Sequence, residues 1–446
     1  MKAVAAFVAV SAALSASVSA TPAKRQSSKT PAVEVRGNAF FANGKRFYIR
    51  GVDYQPGAAS AQEDPLANPE ACKRDIAKFT DLGINTIRVY TVDNTKNHDE
   101  CMKALSDAGI YLALDVNSPN YSINRADPHP SYNDVYLQSV FATVDAFANY
   151  ENLLLLYSAN EVINDEKTPV CAPYVKAVTR DIRQYIRNRG YRSIPVGYSA
   201  ADVDANRYEM ATYMNCGTDD ERSDFFAFND YSWCNPSSYT TSGWNKKVEQ
   251  YSNYSIPLFL SEYGCIKTDR TWDEVNALYS DDMTPVYSGG LVYEYTEEEA
   301  GYGIVQVNSD GTVEELDDYQ PLKEKFAEVP IPSGDGGYKP NGGASECPAA
   351  SANWDISPYT DNRLPAIPEG AKKYMTNGAG TGPGLQGGSQ NAGTPSESTA
   401  TAGSGQATTT ASKGAAASLR VPDFNAAPLV CGLVALVSAA FGASLL

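Results

Sequence analysis

The feature that most constrains the fold of this chain is an alternation of short apolar runs with amphipathic segments, from residue 33 to about residue 330. Uninterrupted apolar runs such as residues 153–156 are typical of parallel strands buried on both faces of a sheet. Eight strands that alternate with helices favour an α/β fold of the (β/α)8 TIM-barrel type over an open, doubly wound sheet. The predicted strands span residues 47–53, 86–92, 111–116, 153–158, 194–198, 225–229, 256–260 and 290–293.

Local turn and capping signals support these elements. Asn43-Gly44 is a favoured two-residue turn, which predicts a hairpin ahead of the first barrel strand. Asn68 before Pro69 predicts a helix start, because Asn caps free backbone N–H groups and Pro fits the first helical position. Further helices are predicted over residues 174–189 and 272–279.

Changes in composition divide the chain into segments. Residues 1–20 contain a charge, an apolar run and a small-residue cleavage site, which predict a secretory signal peptide. The barrel is predicted over 27–335, and an extension tied to it by a disulfide through Cys347 over 336–376. Residues 377–418 are rich in Ser, Thr and Gly, so we expect a flexible linker there.

The C-terminal residues 415–446 are expected to form a GPI propeptide that is removed from the mature protein. The supporting order is a group of small residues at 414–417, a short spacer, and an apolar tail over 426–446. The alternative is a transmembrane anchor, which usually has Lys or Arg on its cytoplasmic side. Because the tail shows no such residue, we favour a GPI anchor attached near Gly414.

Charge and side-chain chemistry exclude several classes of function. The chain has 36 Lys+Arg against 53 Asp+Glu, a net charge of −17, which argues against a nucleic-acid partner. His98 and His129 are the only histidines, and no Cys-x-x-Cys pair occurs, so we expect no metal and no cofactor. Tyrosine is abundant, with 29 residues, and its apolar face and polar tip suit contact with a sugar ring.

The cysteines and sequons indicate an oxidising compartment. One of the eight cysteines, Cys431, lies in the predicted propeptide, and an odd number remains. In an exported protein this predicts three disulfides and one free thiol, with the pairing left open by the spacing. Two N-glycosylation sequons, at Asn120 and Asn253, fit the same compartment.

Two glutamates near the ends of predicted strands are the candidate catalytic residues. Glu161 follows the fourth strand and Glu262 follows the seventh, and active sites of such barrels lie at this end of the strands. Retaining glycoside chemistry uses one carboxylate as nucleophile and a second as acid and then base. We assign Glu262 as the nucleophile, which must stay ionised, and Glu161 as the acid/base, which starts protonated. Taken singly, either glutamate could be an ordinary carboxylate paired with Arg.

Seven short motifs lie at or near the predicted strand ends. They are FYIRGVDYQP (47–56), NTIRVYTVD (85–93), YLALDVNSPNYSINR (111–125), YSANEV (157–162), FNDYSWC (228–234), LSEYGC (260–265) and GGLVYEYTEE (289–298). In combination they resemble the fungal GPI-anchored β-1,3-glucanosyltransferases, glycoside hydrolase family 72. Because Cys347 is the only cysteine between Cys265 and Cys431, the chain resembles the type that lacks the Cys-rich carbohydrate-binding module.

This resemblance implies an activity and a location. The enzyme would cleave β-1,3-glucan internally, hold the new reducing end on Glu262, and transfer it to the non-reducing end of a second β-1,3-glucan. Donor and acceptor glucan chains would be its partners, and it would act as a GPI-anchored monomer on the outer face of the plasma membrane and in the cell wall. The sugar-binding residues implied are Gln55, Tyr90, Asp115, Ser118, Asn120, Asn124, Arg125, Asn160, Asp202, Arg207, Tyr231 and Tyr293.

The resemblance also implies a disulfide pattern, and two other functions stay open beside the transferase. The implied pairs are Cys72 with Cys101, Cys234 with Cys265, and Cys216 with Cys347, which leaves Cys171 free. The first alternative is a secreted endo-β-1,3-glucanase, because the same two glutamates serve hydrolysis. The second is a non-catalytic, wall-anchored glucan-binding protein, against which the presence of both glutamates argues.

Overall fold

The computed structural model describes residues 29–360, 363–400 and 405. The described chain begins with a small antiparallel sheet of β1 (Val33–Arg36), β2 (Ala39–Ala42) and β3 (Lys45–Phe47). The turn between β2 and β3 is Asn43-Gly44, and both residues have positive φ, at 49° and 73°. The hairpin predicted from this pair is therefore confirmed.

Eight parallel strands follow and close into a barrel. Each pairs with the next along the chain, and the last pairs back with the first. This arrangement confirms the predicted (β/α)8 barrel. The strands are β4 (Ile49–Asp53), β5 (Thr86–Val89), β6 (Tyr111–Asp115), β7 (Leu153–Asn160), β8 (Val196–Ala201), β9 (Phe225–Asn229), β10 (Leu258–Tyr263) and β11 (Tyr287–Val292).

The N-terminal sheet covers one end of the barrel. Phe40 of β2 is fully buried, and its ring lies against Phe225 and Phe259, with ring centroids 6.4 and 5.9 Å away. These two residues lie at the N-terminal ends of β9 and β10. The opposite end, where barrel active sites form, is left for functional side chains.

The structure corrects the predicted ends of several strands. β5 ends at Val89 and β11 at Val292, so Tyr90 and Tyr293 follow their strands, and the two strands nearest the candidate glutamates are longer than predicted. The predictions stop at residues 158 and 260, whereas β7 continues to Asn160 and β10 to Tyr263. Glu262 therefore lies within a strand and not after it. The cause is a polar layer inside the barrel, in which Ser199 Oγ lies 2.7 Å from Asn160 Oδ1 and 2.8 Å from Ser261 Oγ. Polar residues of this kind end the apolar run before the strand itself ends.

Helices connect the barrel strands, and the first has the predicted cap. The Asn68 side chain accepts a hydrogen bond from Ala71 N, and Gly83 ends the helix with φ 70°. The helices are α1 (Pro69–Leu82), α2 (Asp99–Ala108), α3 (Pro128–Ser131), α4 (Asp134–Phe147), α5 (Ala172–Asn188), α6 (Arg207–Met214), α7 (Trp244–Tyr251), α8 (Glu274–Leu278), α9 (Tyr319–Glu328) and α10 (Lys372–Asn377).

Three disulfides confirm the implied pairing. They join Cys72 to Cys101, Cys234 to Cys265, and Cys216 to Cys347, and Cys171 is a buried free thiol. The last of them ties the C-terminal extension to the barrel. Within the residues that the structure describes, these seven positions account for every cysteine.

The segment predicted as a flexible linker from residue 377 differs from that expectation in its first part. Residues 378–400 lie against the barrel. Their last two residues form a short strand that pairs with an earlier one, so that β12 (Leu364–Pro365) lies antiparallel to β13 (Thr399–Ala400). No helix in the described part of the chain is long and apolar enough to cross a lipid bilayer. The predicted signal peptide, Gly414 and the propeptide lie outside the described residues.

Candidate active site

Both candidate glutamates lie at the C-terminal end of the barrel. Glu161 directly follows β7, in a left-handed backbone conformation with φ 47°, and Glu262 is the penultimate residue of β10. Asn229, which ends β9 between them, donates its amide to Glu161 Oε1 at 2.9 Å. It is also aligned with Glu262 in the pairing of β9 with β10. The structure thus brings the two glutamates into one network.

Three side chains hold the Glu262 carboxylate. Tyr90 donates its hydroxyl to Oε1 at 2.8 Å, and Tyr231 donates to Oε2 at 2.7 Å. Arg88 Nη1 donates to Oε1 at 3.1 Å. Glu262 itself is only 7% exposed. Because both oxygens accept from fixed donors, the carboxylate has one defined orientation at the strand end.

Arg88 connects the candidate residues and is a functional residue that the sequence analysis missed. It is fully buried on β5, and its Nε donates to Asp115 Oδ2 at 2.9 Å while Nη2 donates to Asn160 Oδ1 at 3.0 Å. A charged residue inside the four-residue buried strand TIRV is the signal that could have found it, since an isolated buried charge is costly.

Burial and the charge of Arg88 act in opposite directions on the pKa of Glu262. Burial raises the pKa of Glu262 to about 7, the charge of Glu161 adds to this rise, and the charge of Arg88 opposes it. Burial also raises the pKa of Asp53, whose carboxyl oxygens have no hydrogen-bond partner among the described residues, well above its usual range. Burial therefore opposes the ionised form of Glu262 that the sequence analysis expects, whereas Arg88 supports it.

A cavity of about 210 Å³ lies beside these residues. It brings together four of the predicted sugar-binding residues from three strand ends and one loop. These four are Tyr90, Asp115, Ser118 and Asn160, and the remaining lining includes Thr91, Asn117, Pro119, Ser122, Ile123 and Val162. Polar groups converge on a partly apolar wall, as in sites that bind small polar molecules.

On the Tyr231 side of Glu262, three partly exposed tyrosines form a cluster. The ring centroids of Tyr231 and Tyr293 are 6.2 Å apart, and Tyr302 lies 5.6 Å from the first and 5.2 Å from the second. Tyr302 was not predicted, because it follows the barrel motifs in a segment without a strand pattern. Partly exposed aromatic faces of this kind can stack on sugar rings.

Other predicted positions support the site rather than face it. Gln55 Oε1 accepts from the backbone N–H groups of Tyr90 and Thr91 at 3.1 and 3.0 Å, which fixes the strand end that carries Tyr90. Arg125 Nη2 donates to the Glu161 carbonyl at 2.6 Å. The Asn124 side chain accepts from the Ala126 backbone, so it shapes its own loop.

Two further predicted groups lie apart from the glutamates' network. Asp202 accepts from Arg207 Nε at 2.6 Å, and Lys247 bridges Asp202 to the buried Asp230. They form a buried ion cluster near the ends of β8 and β9. Asn120 is half-buried, and its amide lies 3.4 Å from Gln62 Oε1.

This fold and this site define a carbohydrate-active enzyme of the (β/α)8 barrel class with two glutamates at the strand ends. The family model Glyco_hydro_72, described as Glucanosyltransferase, matches residues 22–330, and the chain belongs to this family.

Relatives and solved structures agree. The chain is 61% identical to 1,3-beta-glucanosyltransferase gel1 of Aspergillus fumigatus, over 100% of this chain and 99% of that protein. It is 51% identical to 1,3-beta-glucanosyltransferase GAS5 of Saccharomyces cerevisiae, over 81% of this chain and 75% of that protein. A Saccharomyces cerevisiae Gas2p mutant in complex with laminaritetraose and laminaripentaose superposes with a TM-score of 0.69 at 38% identity, over 77% of this chain and 76% of that one.

Proposed function

We propose that this chain is a retaining β-1,3-glucanosyltransferase that cleaves β-1,3-glucan internally and joins the new reducing end to the non-reducing end of another β-1,3-glucan. The observation that carries the proposal is the Glu262 carboxylate held by Tyr90, Tyr231 and Arg88 in one network with Glu161. The relatives named 1,3-beta-glucanosyltransferases and the laminari-oligosaccharide complex of Gas2p support the choice of substrate.

In the first step, Glu161 gives its proton to the glycosidic oxygen while Glu262 attacks the anomeric carbon. The C–O bond to the leaving chain breaks, and a covalent glycosyl ester forms on Glu262. Arg88 favours the ionised nucleophile by its charge, and the hydroxyls of Tyr90 and Tyr231 orient it. In the second step, Glu161 takes the proton of an acceptor hydroxyl while the acceptor oxygen attacks the anomeric carbon, and the bond from that carbon to the Glu262 carboxylate breaks.

Asn160 is proposed to bind the sugar 2-hydroxyl. Its Oδ1 accepts from Arg88, Ser199 and Asn229, at 3.0, 2.7 and 3.2 Å. With the oxygen used in this way, the amide Nδ2 is the group that remains for the substrate. The other substrate contacts we propose are Tyr90, Asp115, Ser118, Tyr231, Tyr293 and Tyr302. Gln55, Asn124, Arg125, Asp202 and Arg207 are proposed to act by positioning.

A chromatographic analysis of products from a reduced laminari-oligosaccharide tests the transfer reaction. We expect products longer than the substrate, made by the wild-type protein and lost in Glu161→Gln and Glu262→Gln. Only shorter products would identify the endo-glucanase instead. Unchanged glucan binding and an unchanged cell-wall phenotype in both variants would identify a non-catalytic protein.

We also propose that the protein is exported and held by a GPI anchor near Gly414 on the outer face of the plasma membrane and in the cell wall, as a monomer. The predicted signal peptide, the small-residue group and the apolar tail support this. N-glycans at Asn120 and Asn253 are part of the same proposal. Release of the intact enzyme from fungal membranes by a phosphatidylinositol-specific phospholipase is the expected result, and resistance to it would favour a transmembrane anchor.

A further inference from the structure

Residues 378–400, here called the strap, lie on the barrel surface although their composition is that of a flexible linker. Ala379 N donates to the Tyr185 hydroxyl oxygen at 2.9 Å at one end of the strap. Thr394 N donates to Asp134 Oδ1 at 2.7 Å further along. Backbone groups of a surface segment are thus bonded to side chains of the barrel helices, which fixes its path.

Three glycines of the strap lie where its backbone approaches the barrel closely. Gly384 and Gly393 have positive φ, at 61° and 69°, and a Cβ at either position would collide with the side chain of Asp93 or Asp134. A Cβ at Gly382 would collide with Asn94. Glycine therefore allows this contact, and a high glycine content here does not indicate a free linker.

The loop of residues 117–125 forms part of the wall of the active-site cavity. We call it the sugar loop because Asn117, Ser118 and Ser122 line the cavity. Within the loop, the backbone groups of Ser118 and Tyr121 exchange two hydrogen bonds, at 3.1 and 3.0 Å. The position of this turn therefore decides where the lining residues on either side of it lie.

The middle of the strap makes hydrogen bonds to three residues of the sugar loop. Ser389 N donates to the Asn120 carbonyl at 2.9 Å, the Tyr121 hydroxyl donates to the Gln386 carbonyl at 2.5 Å, and Gln390 Nε2 donates to the Ser122 carbonyl at 2.8 Å. The strap thus holds three consecutive residues of the loop.

We propose that the strap positions the sugar loop and so sets the affinity of the cavity for glucan. Its residues are positioning residues, because they touch the loop and not the reacting atoms. Gln390 is the specific determinant, since it is the strap side chain that reaches Ser122, a residue of the cavity wall. The identity of the sugar as β-1,3-glucan rests on the proposed function.

The test compares two glutamines of the strap. Gln390→Ala removes the hydrogen bonds from Gln390 Nε2 to the carbonyl and hydroxyl oxygens of Ser122. Gln390→Glu replaces this donor with an oxygen that faces the Ser122 carbonyl. Gln386→Ala is the matched control, because the exposed Gln386 side chain makes no hydrogen bond within the described residues and only its carbonyl is used. Each change is made in full-length protein, alone and in the Glu161→Gln background.

The readouts are the Kd for laminaripentaose by calorimetry in the Glu161→Gln background, and KM and kcat in the active protein. Loss of the Gln390 hydrogen bonds to Ser122 is expected to raise Kd and KM about 3- to 10-fold in both Gln390 variants, with a smaller change in kcat. Gln386→Ala is expected to match the parent protein, and the thermal midpoint should stay within about 2 °C in all three.

Equal Kd values for Gln390→Ala and Gln386→Ala would overturn the proposal. If the Gln390 variants fail to fold, Tyr121→Phe removes the other side-chain bond to the strap and is expected to raise Kd in the same way, and an unchanged Kd there would also overturn it. The two proposals fail separately. If the wild-type protein makes no products that are longer than the substrate, but its Kd is still changed by the Gln390 variants, the proposed transferase activity is refuted and the role of the strap stands.

Discussion

At the residue scale, the reactivity of the site depends on how Glu262 holds its charge. Burial disfavours the carboxylate, whereas Arg88 and the hydroxyls of Tyr90 and Tyr231 favour it. A bound glucan chain would displace water from this end of the barrel and strengthen each of these interactions. The protonation state of Glu262, the proposed nucleophile, is therefore controlled by its neighbours on other strands.

The first prediction concerns stability as a function of pH in Glu262→Gln. The pKa of Glu262 rises from 4.5 to about 7 on folding, so the folded state binds this proton more tightly than the unfolded state. Wild-type stability is thus expected to fall as pH rises from about 4.5 to about 7 through this group. The Gln variant does not titrate there, so its free energy of unfolding relative to wild type should rise by about 1–3 kcal/mol across that window.

Thermal or chemical unfolding at pH 5 and pH 8 measures this difference. Glu249→Gln, an exposed residue on α7, is the control and should show no such trend. The opposite trend would contradict the prediction. If the free energy of unfolding of Glu262→Gln, relative to wild type, falls from pH 5 to pH 8, then folding favours the ionised form of Glu262.

The second prediction concerns Arg88→Lys. A single ammonium cannot reproduce the contacts of the guanidinium with Asp115, Glu262 and Asn160. We expect kcat/KM to fall about 100-fold or more, and stability to fall by about 3 kcal/mol, because buried carboxylates lose part of their compensation. Arg36→Lys, in the exposed pair with Glu34, should change neither quantity. Near wild-type kcat/KM in Arg88→Lys would exclude a role for the guanidinium fork.

The sequence was sufficient to propose Glu161 and Glu262 as a pair, because each stands beside a recognisable strand and a short motif, and the structure places both at the C-terminal end of the barrel. It did not predict Arg88 or Tyr302. Arg88 acquires its role only through contacts with residues 27 and 174 positions away in the chain, and Tyr302 only through the rings that pack around it. Such roles depend on the folded arrangement of several strand ends.

At the element scale, the strand count was predictable and the strand ends were not. The apolar run at Leu153 shows that β7 exists, yet its last residues are the polar ones that face the site. Ser199 of β8 and Ser261 of β10 belong to the same polar layer. In a barrel the functional end of a strand is therefore the part that hydropathy describes worst.

The third prediction concerns Phe40→Ala, in the sheet that covers the other end of the barrel. The ring is fully buried against Phe225 and Phe259, so its loss should destabilise the protein by about 3–5 kcal/mol. Because this end is opposite the glutamates, kcat/KM measured well below the lower thermal midpoint should stay within about twofold of wild type. A large loss of activity in folded protein would show that the two ends of the barrel are coupled.

At the scale of the whole molecule, composition alone misjudged where the folded unit ends. Residues 378–400 have the Gly and Ser content of a linker, but Gly384 and Gly393 are placed where the backbone approaches the barrel. Composition cannot distinguish glycine that makes a segment flexible from glycine that lets the backbone pack closely, because the difference lies in the surface that the segment contacts.

The net charge of −17 is also a property of the whole molecule, and it leads to the last prediction. A neutral glucan has no long-range attraction to or repulsion from this charge, whereas a charged ligand would be steered by it. The ion pairs that matter for the site, such as Arg88 with Glu262 and Asp115, are buried and are screened little by salt. We therefore expect KM and kcat for laminari-oligosaccharides to change less than about twofold between about 50 mM and about 500 mM NaCl. A steep salt dependence of KM would show that exposed charges take part in binding, and would argue against tyrosine and amide groups as the principal contact surface.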